Sequence, residues 1–329
     1  MKSMLKRLEW KHKNNKFLYY LKVLTRELLP GAPFRSNLPK RLASISEFDI
    51  EYIKKRVNYY NKLSKTIPLS EQAIPLEQLK IPKRQRVYYF DTTEFTRYFD
   101  RRLRFRFLFG DVTVVPEEPS IIKSRPILPN NSNSIVLKLD KIRHFMFAKD
   151  HKDFISKKNM LVWRGVVKRE HRKRFMELYF GHPLCNIGQI NKGMNEHWIK
   201  ERLTIDYHLD YKFILCIEGN DVATNLKWVM SSNSLAVMPK PKFETWFMEG
   251  TLKPNFHYVL IKDDFSDLEE RMNYYINHPN EALEIIRNAH EFIDQFRNTK
   301  REELISLLVL EKYFYRTGQR EPNDPSLYA

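Results

Sequence analysis

Two short stretches carry the residue types that phosphate chemistry needs. In Phe213–Trp228, FILCIEGNDVATNLKW, an apolar run ends at Glu218, turns at Gly219 and Asn220, and enters a helix near Asp221 or Val222. Parallel α/β sheets bind ligands beyond the carboxyl ends of their strands, and the free N–H groups opening a helix suit a phosphate. Thr224 adds a hydroxyl and Lys227 a full charge one turn in, while Glu218 can accept hydrogen bonds from a ribose diol. The same residues also make a plain strand–helix turn capped by Asp221, whose carboxylate counts against a phosphate unless it points away. In Trp163–Arg172, WRGVVKREHR, a strand meets a turn at Arg164-Gly165 and then a helix. Arg164 and Arg172 can each grip two phosphate oxygens, because a guanidinium fork suits bidentate contact. Lys168, Arg169, Lys173 and Arg174 beside them equally fit a solvated basic face.

A third stretch, Phe109–Pro126, offers acid–base chemistry. Asp111 follows an apolar strand and a glycine, a position that exposes one carboxylate in a cleft, although a turn aspartate is commonly structural. Lys123 and Arg125 are two apart and share one face if this segment is extended. Other chemistries lack their signatures. There is no GxGxxG or P-loop, no Cys/His cluster with zinc spacing, no HExxH and no GxSxG elbow.

The elements that must hold these residues alternate. Strands are expected at Val87–Phe90, Phe105–Phe109, Ser120–Lys123, Ile135–Leu139, Met160–Trp163, Pro183–Ile187, Lys212–Ile217, Leu235–Met238 and His257–Ile261. Helices are expected at Ser46–Lys65 (capped by Ser44 or Ser46), Glu170–Tyr179, 194–204, Val222–Ser231, Ser266–Asn277 (capped by Ser266, with Glu269 three positions on), Asn280–Gln295 and Arg301–Tyr315. The βαβ succession argues for a parallel sheet covered by helices on both faces. Residues 1–30 hold eight Lys/Arg and two acids around Leu5, Leu8, Phe17, Leu18, Leu21, Leu24 and Leu28. That is a basic amphipathic helix ended by Pro30-Gly31, suited either to the protein's own surface or to an anionic membrane.

With 329 residues, a net charge of +17 and 13% aromatics, the chain is globular and calls for an anionic partner. Cys185 and Cys216 lie in apolar runs, so a disulfide framework is excluded and a reducing compartment expected. No signal-peptide core and no membrane-spanning run is present. A basic nucleic-acid-binding protein would share the composition, but the charge is spread and no RRM, KH or helix-turn-helix pattern emerges. Filter binding to DNA and RNA separates that class.

At Asp111 with Pro119–Pro126, at Trp163–Arg172, at Glu218–Trp228 and at Trp246–Tyr258 the sequence resembles glycosyltransferase family 90, and Tyr274–Tyr315 resembles its bacterial branch. The family includes protein O-glucosyltransferases, fungal capsule xylosyltransferases and bacterial lipopolysaccharide-type transferases. The resemblance spans roughly residues 100–315, with the motifs in order. It implies an α/β fold of GT-B type, two Rossmann-like domains facing a cleft, with a C-terminal helix crossing back. The division expected is 1–85, a basic helical region; 86–150, an acceptor-side α/β domain; 151–295, a nucleotide-sugar-binding Rossmann-like domain; and 296–329, the crossing helix.

The resemblance further implies a UDP-sugar donor, inversion at the anomeric carbon, and neither metal nor cofactor. Arg164, Gly165 and Arg172 resemble the family's diphosphate motif. Glu218, Gly219, Asn220, Thr224 and Lys227 resemble its second nucleotide contact, and Asp111 its catalytic base, with Asp140, Asp150 and Glu118 as the other candidates. Eukaryotic members place an arginine where this chain has Asn225, which leaves the diphosphate to Arg172 and Lys227. The expected activity is transfer to a lipopolysaccharide, lipooligosaccharide or other surface-glycan acceptor in the cytoplasm, with peripheral contact at the inner face of the plasma membrane. A protein or capsular acceptor is the alternative.

Overall fold

The computed structural model describes residues 15–328, so Leu5 and Leu8 of the basic N-terminal segment lie outside the described residues. The chain divides into two compact units, one of Arg143–Pro241 with Gly250–Gln295, the other of Lys16–Ile142, Lys242–Glu249 and the residues from Phe296 onward.

The first unit is built on five parallel strands: β1 Lys158–Gly165, β2 Cys185–Gln189, β3 Tyr211–Leu215, β4 Leu235–Met238 and β5 Val259–Leu260. Their order is β5-β4-β3-β1-β2, every neighbouring pair parallel. Strands β3 and β4 are buried along their whole length, as expected of a sheet covered on both faces. Leu161, Trp163, Phe175, Met176, Ile187, Phe213, Leu215, Val237 and Val259 pack into one core. The fold of this unit is α/β with a parallel sheet.

Three local expectations change here. Arg164 and Gly165 do not turn but continue β1, paired with Gly188 and Gln189 of β2. Residues 194–204 hold only a 3-10 turn at Glu196–Trp198, capped by the Asn195 side chain; beyond it the chain is drawn out along the open edge of β2, where Lys200 N–H donates to the Gln189 carbonyl (2.9 Å). Ser266 does not cap the next helix: its hydroxyl donates to Asp264, and the helix begins at Leu268 after Asp267.

In the second unit, helices Lys16–Leu28, Ala32–Ala43, Ile50–Tyr60, Arg86–Thr96 and Thr299–Arg316 accompany a parallel three-stranded sheet of Phe107–Leu108, Ser120–Ile122 and Ser134–Val136. Thr299–Arg316 is buried nearly all round and packs on Ala32–Ala43, Ile50–Tyr60 and Arg86–Thr96. Ser124–Pro126 pairs antiparallel with Phe243–Thr245. Val87–Phe90, expected as a strand, is the first turn of helix Arg86–Thr96. Its β-prone Val-Tyr-Tyr-Phe run is overridden by docking on Lys16–Leu28, where Tyr19 donates to Asp91 and Arg26 pairs with Glu94. The helix expected from Ser46 starts at Ile50, because Asp49 supplies the cap to Tyr52 N–H and Ser44–Glu47 forms a separate 3-10 turn.

Candidate functional site

In the parallel sheet the strand order reverses between β1 and β3, since β2 lies outside β1 while β4 and β5 extend from β3. Such a reversal opens a crevice at the carboxyl ends of the two strands. Arg172, in the first turn of helix Glu170–Tyr179, lies there. Its Nε donates to the Glu218 carbonyl (2.7 Å), Nη2 to Ile217 (2.8 Å) and Nη1 to Val166 (2.8 Å), tying the chain after β1 to the chain after β3. The guanidinium also lies 5.4 Å from the centre of the Trp163 ring. Burial lowers its pKa to about 10, partly offset by Glu218, so it stays a cation at neutral pH. A guanidinium has five N–H groups, so three carbonyls leave one N–H on each terminal nitrogen.

The neighbours of Arg172 come from the expected motif. A Cβ on Gly219 would lie 3.3 Å from Arg172 Nη2, so glycine lets the backbone pass close to the cation. His171 Nε2 meets the Glu218 carbonyl at 2.8 Å. Asn220 Oδ1 accepts from Arg169 Nε (2.9 Å) and Nη2 (2.6 Å). The sequence offered Arg169 only as one of several surface cations; its contact depends on a turn that residue spacing does not fix.

Arg164 is held elsewhere. Its fork donates to the carbonyls of Trp163 and Asn186 and to Asn186 Oδ1, and its Nε to the Glu201 carbonyl. Successive strand residues leave opposite faces of a sheet, so Arg164 and Trp163, on which Arg172 rests, diverge. Gly165 is needed for space: a Cβ there would fall 2.1 Å from the Trp163 ring. The helix expected from Val222 is only Leu226–Met230, preceded by Asn225, whose Nδ2 donates to the Leu215 carbonyl (2.9 Å). Five residues give little helix dipole, so charge at this turn comes from side chains. Thr224 is half-buried and Lys227 buried. Lys227 lies near the Cys216 thiol, whose pKa is raised by burial and drawn the other way by this lysine.

In the second unit, Asp111 sits just past Gly110, which has φ +113° and so needs glycine. Lys123 Nζ lies 2.6 Å from Asp111 Oδ1, with the lysine side chain 2% and the aspartate 31% exposed. The Ser124 hydroxyl meets the backbone of Val112 at 3.2 Å and holds the loop to the strand. Arg125 is fully buried and serves the fold: it bonds Glu244 (2.7 Å) and the carbonyls of Tyr59 and Ser134. Among the other carboxylates, Asp150 is buried against Lys157 (2.6 Å) and the Asn233 N–H. Glu118 is taken up by Ser70 and Arg106, and Asp140 is buried with φ 55°. Asp111 is the most open of the four. Among the described residues no three His, Cys, Asp or Glu side chains are placed to hold a metal.

Residues 135–313 match the family described as Glycosyl transferase family 90. The match contains the Arg172 cluster and begins downstream of Asp111. The chain is 42% identical over 304 residues to the O-glucosyltransferase LpsA of Dichelobacter nodosus, covering 91% of this chain and 95% of that protein. Shorter similarities reach viral proteins, two of which illustrate their extent. One is uncharacterized protein 027R of Frog virus 3, 27% identical over 33% of this chain and 12% of its own length. The other is uncharacterized protein 035R of Invertebrate iridescent virus 3, 30% identical over 39% of this chain and 12% of its own.

Proposed function

The chain belongs to family 90 of the glycosyltransferases and is a glycosyltransferase; from that premise we propose that it transfers glucose from UDP-glucose to a hydroxyl of a lipopolysaccharide, lipooligosaccharide or other surface glycan, inverting the anomeric carbon. The observation that carries the reading is the half-buried cation Arg172 at the reversal of strand order between β1 and β3. Glucose is the first sugar to test because the relative similar over nearly its whole length is named an O-glucosyltransferase. The GT-B class of fold is part of the same proposal, the β1–β5 sheet being its nucleotide-sugar-binding half.

In this mechanism the acceptor hydroxyl attacks the anomeric carbon, and the bond from that carbon to the UDP oxygen breaks. Asp111 takes the hydroxyl proton, and the departing diphosphate keeps the bonding pair. Its charge is met by the remaining N–H groups of Arg172, with Lys227 as a second cation. Preorganised cations in a site of low polarity stabilise such charge with no divalent ion. Glu218 and Thr224 contact the nucleoside, and Arg169 fixes Asn220 and so the turn that receives it.

The acceptor class also gives the basic charge a use. Phe17, Leu21, Leu24 and Leu28 recur on one face of helix Lys16–Leu28 and are 72%, 53%, 52% and 86% exposed. The opposite face docks through Val23, Tyr19 and Arg26 on Arg86–Thr96. No helix among the described residues is long and apolar enough to cross a membrane; this exposed stripe beside Lys16 and Lys22 suits peripheral contact with an anionic one. A thermal-shift screen across nucleotide sugars tests the donor, since a ligand at ~100 times its Kd stabilises by ~2.7 kcal/mol. Stabilisation by UDP-glucose supports the reading, and no response to any UDP-sugar overturns it.

A further inference from the structure

Helix Ala32–Ala43 carries Arg35, Lys40 and Arg41 and no acid. On its Arg35 side lies an opening of about 460 Å³ lined by Arg35, Arg101, Arg102 and Arg320, against two carboxylates, Glu77 and Asp100. A second opening of about 430 Å³ shares Arg35, Glu77 and Arg101 with the first, so these three form the wall between them. We propose that this wall is a binding site for a phosphate group, as a phosphomonoester or diphosphate, separate from the nucleotide site on the parallel sheet.

The charges in the wall are unevenly committed. Asp100 is gripped by Arg102 through Nε (3.1 Å) and Nη2 (2.8 Å), which neutralises one acid with one arginine. Glu77 meets Arg101 at 3.3 Å, with both side chains largely exposed. Exposed pairs of this kind contribute little and exchange readily. Arg320 reaches Glu311 at 3.6 Å. Arg35 makes no ion pair within 4 Å among the described residues, but it lies near enough to Asp100 to add to Arg102 in holding that carboxyl below its ordinary value. Its guanidinium folds over Gly31, where any Cβ would lie 2.5 Å from Nη1. Glycine at 31 therefore gives a guanidinium that shares Asp100 with Arg102 room at the junction of two openings, where arginines outnumber carboxylates. A tetrahedral dianion presents paired oxygens that a guanidinium fork matches. Bound there, it would take Arg35 directly and displace Glu77 from Arg101. Two adjoining openings leave space on either side for whatever carries the phosphate, whether a phosphorylated sugar or a lipid headgroup.

The test uses the full chain and inorganic pyrophosphate, followed by calorimetry at low ionic strength. The double variant Arg35→Ala/Arg101→Ala should bind pyrophosphate more weakly by about tenfold or more, as expected for lost charged hydrogen bonds. Glu77→Gln removes the competing carboxylate and should tighten binding, a gain that a folding defect cannot mimic. Vesicles containing phosphatidic acid form the second arm. Their retention of the parent and loss of the double variant assigns the phosphate to a lipid headgroup; equal retention of both, with pyrophosphate binding still reduced, assigns it to a soluble or glycan phosphate. Equal pyrophosphate binding by parent and double variant, or weaker binding by Glu77→Gln, overturns the site.

Discussion

The Lys123 ammonium, buried, lies 2.6 Å from the carboxylate of Asp111, which is partly open to solvent. A buried lysine needs a charged partner, so the pair fixes where the carboxylate points while leaving a side of it accessible. Asp111→Asn keeps the shape and removes the base. Transfer should fall by ~10²–10⁴ while UDP affinity survives. Near-normal transfer would eliminate Asp111 as the base, and loss of UDP binding would mark it as structural.

Lys123→Met tests the pair from the other side. Removing the cation disfavours the charged carboxylate, so the acid limb of the pH–rate profile should move to higher pH. A merely structural lysine would lower activity without moving that limb.

Arg172 does two things that can be separated. Its three bonds to Val166, Ile217 and Glu218 hold the crevice, so Arg172→Ala should lower stability as well as UDP affinity, the latter by roughly 1.5–3 kcal/mol for a lost charged hydrogen bond. Arg172→Lys keeps the charge but not the fork and should not restore the three carbonyl contacts. Lys227→Ala should weaken UDP binding similarly. Calorimetry on all three decides; parent-like UDP binding by both alanine variants would place the diphosphate elsewhere.

The exposed stripe of Lys16–Leu28 predicts that Leu21→Glu/Leu28→Glu reduces sedimentation with anionic vesicles and leaves UDP binding intact. Substitution is the sharper test here, because the opposite face of the helix covers Arg86–Thr96. Unchanged vesicle binding would make the stripe irrelevant to membranes.

Acid should loosen the same helix. Burial alone would raise the Glu94 carboxyl, but Lys141 and Arg26 outweigh it and hold its pKa at about 2, below the ordinary 4.5. A depressed carboxylate contributes stability that is present above pH 4.5 and lost as pH falls towards 2. Glu94→Gln should be less stable at neutral pH and lose less on acidification. An acid unfolding curve parallel to the parent's would contradict this.

The family and the central sheet were legible in the sequence, and Leu235–Met238 and Glu170–Tyr179 fall where expected, the first because it is an unbroken apolar run, the second because Phe175, Met176 and Tyr179 recur at helical spacing among charged residues. Val87–Phe90 was not legible, since its β-prone residues become helical only through Tyr19, Arg26 and Glu27 some seventy residues away. The pairing of Phe243–Thr245 with Ser124–Pro126, locked by Arg125 and Glu244, is a long-range contact with no local signal. Arg164 and Arg172 read as equals in one motif, yet alternation along β1 sends Arg164 to Asn186 while Arg172 meets the carbonyls after β3. The identity of the motif residues was visible; which of them share a face depended on where the strand ended.

Titration of the full chain with UDP-glucose in the presence of EDTA shows whether Arg172 holds the donor without a metal. EDTA should leave binding unweakened, and Arg172→Ala should reduce it by at least about tenfold. Binding that vanishes with EDTA, or that survives Arg172→Ala unchanged, would contradict this.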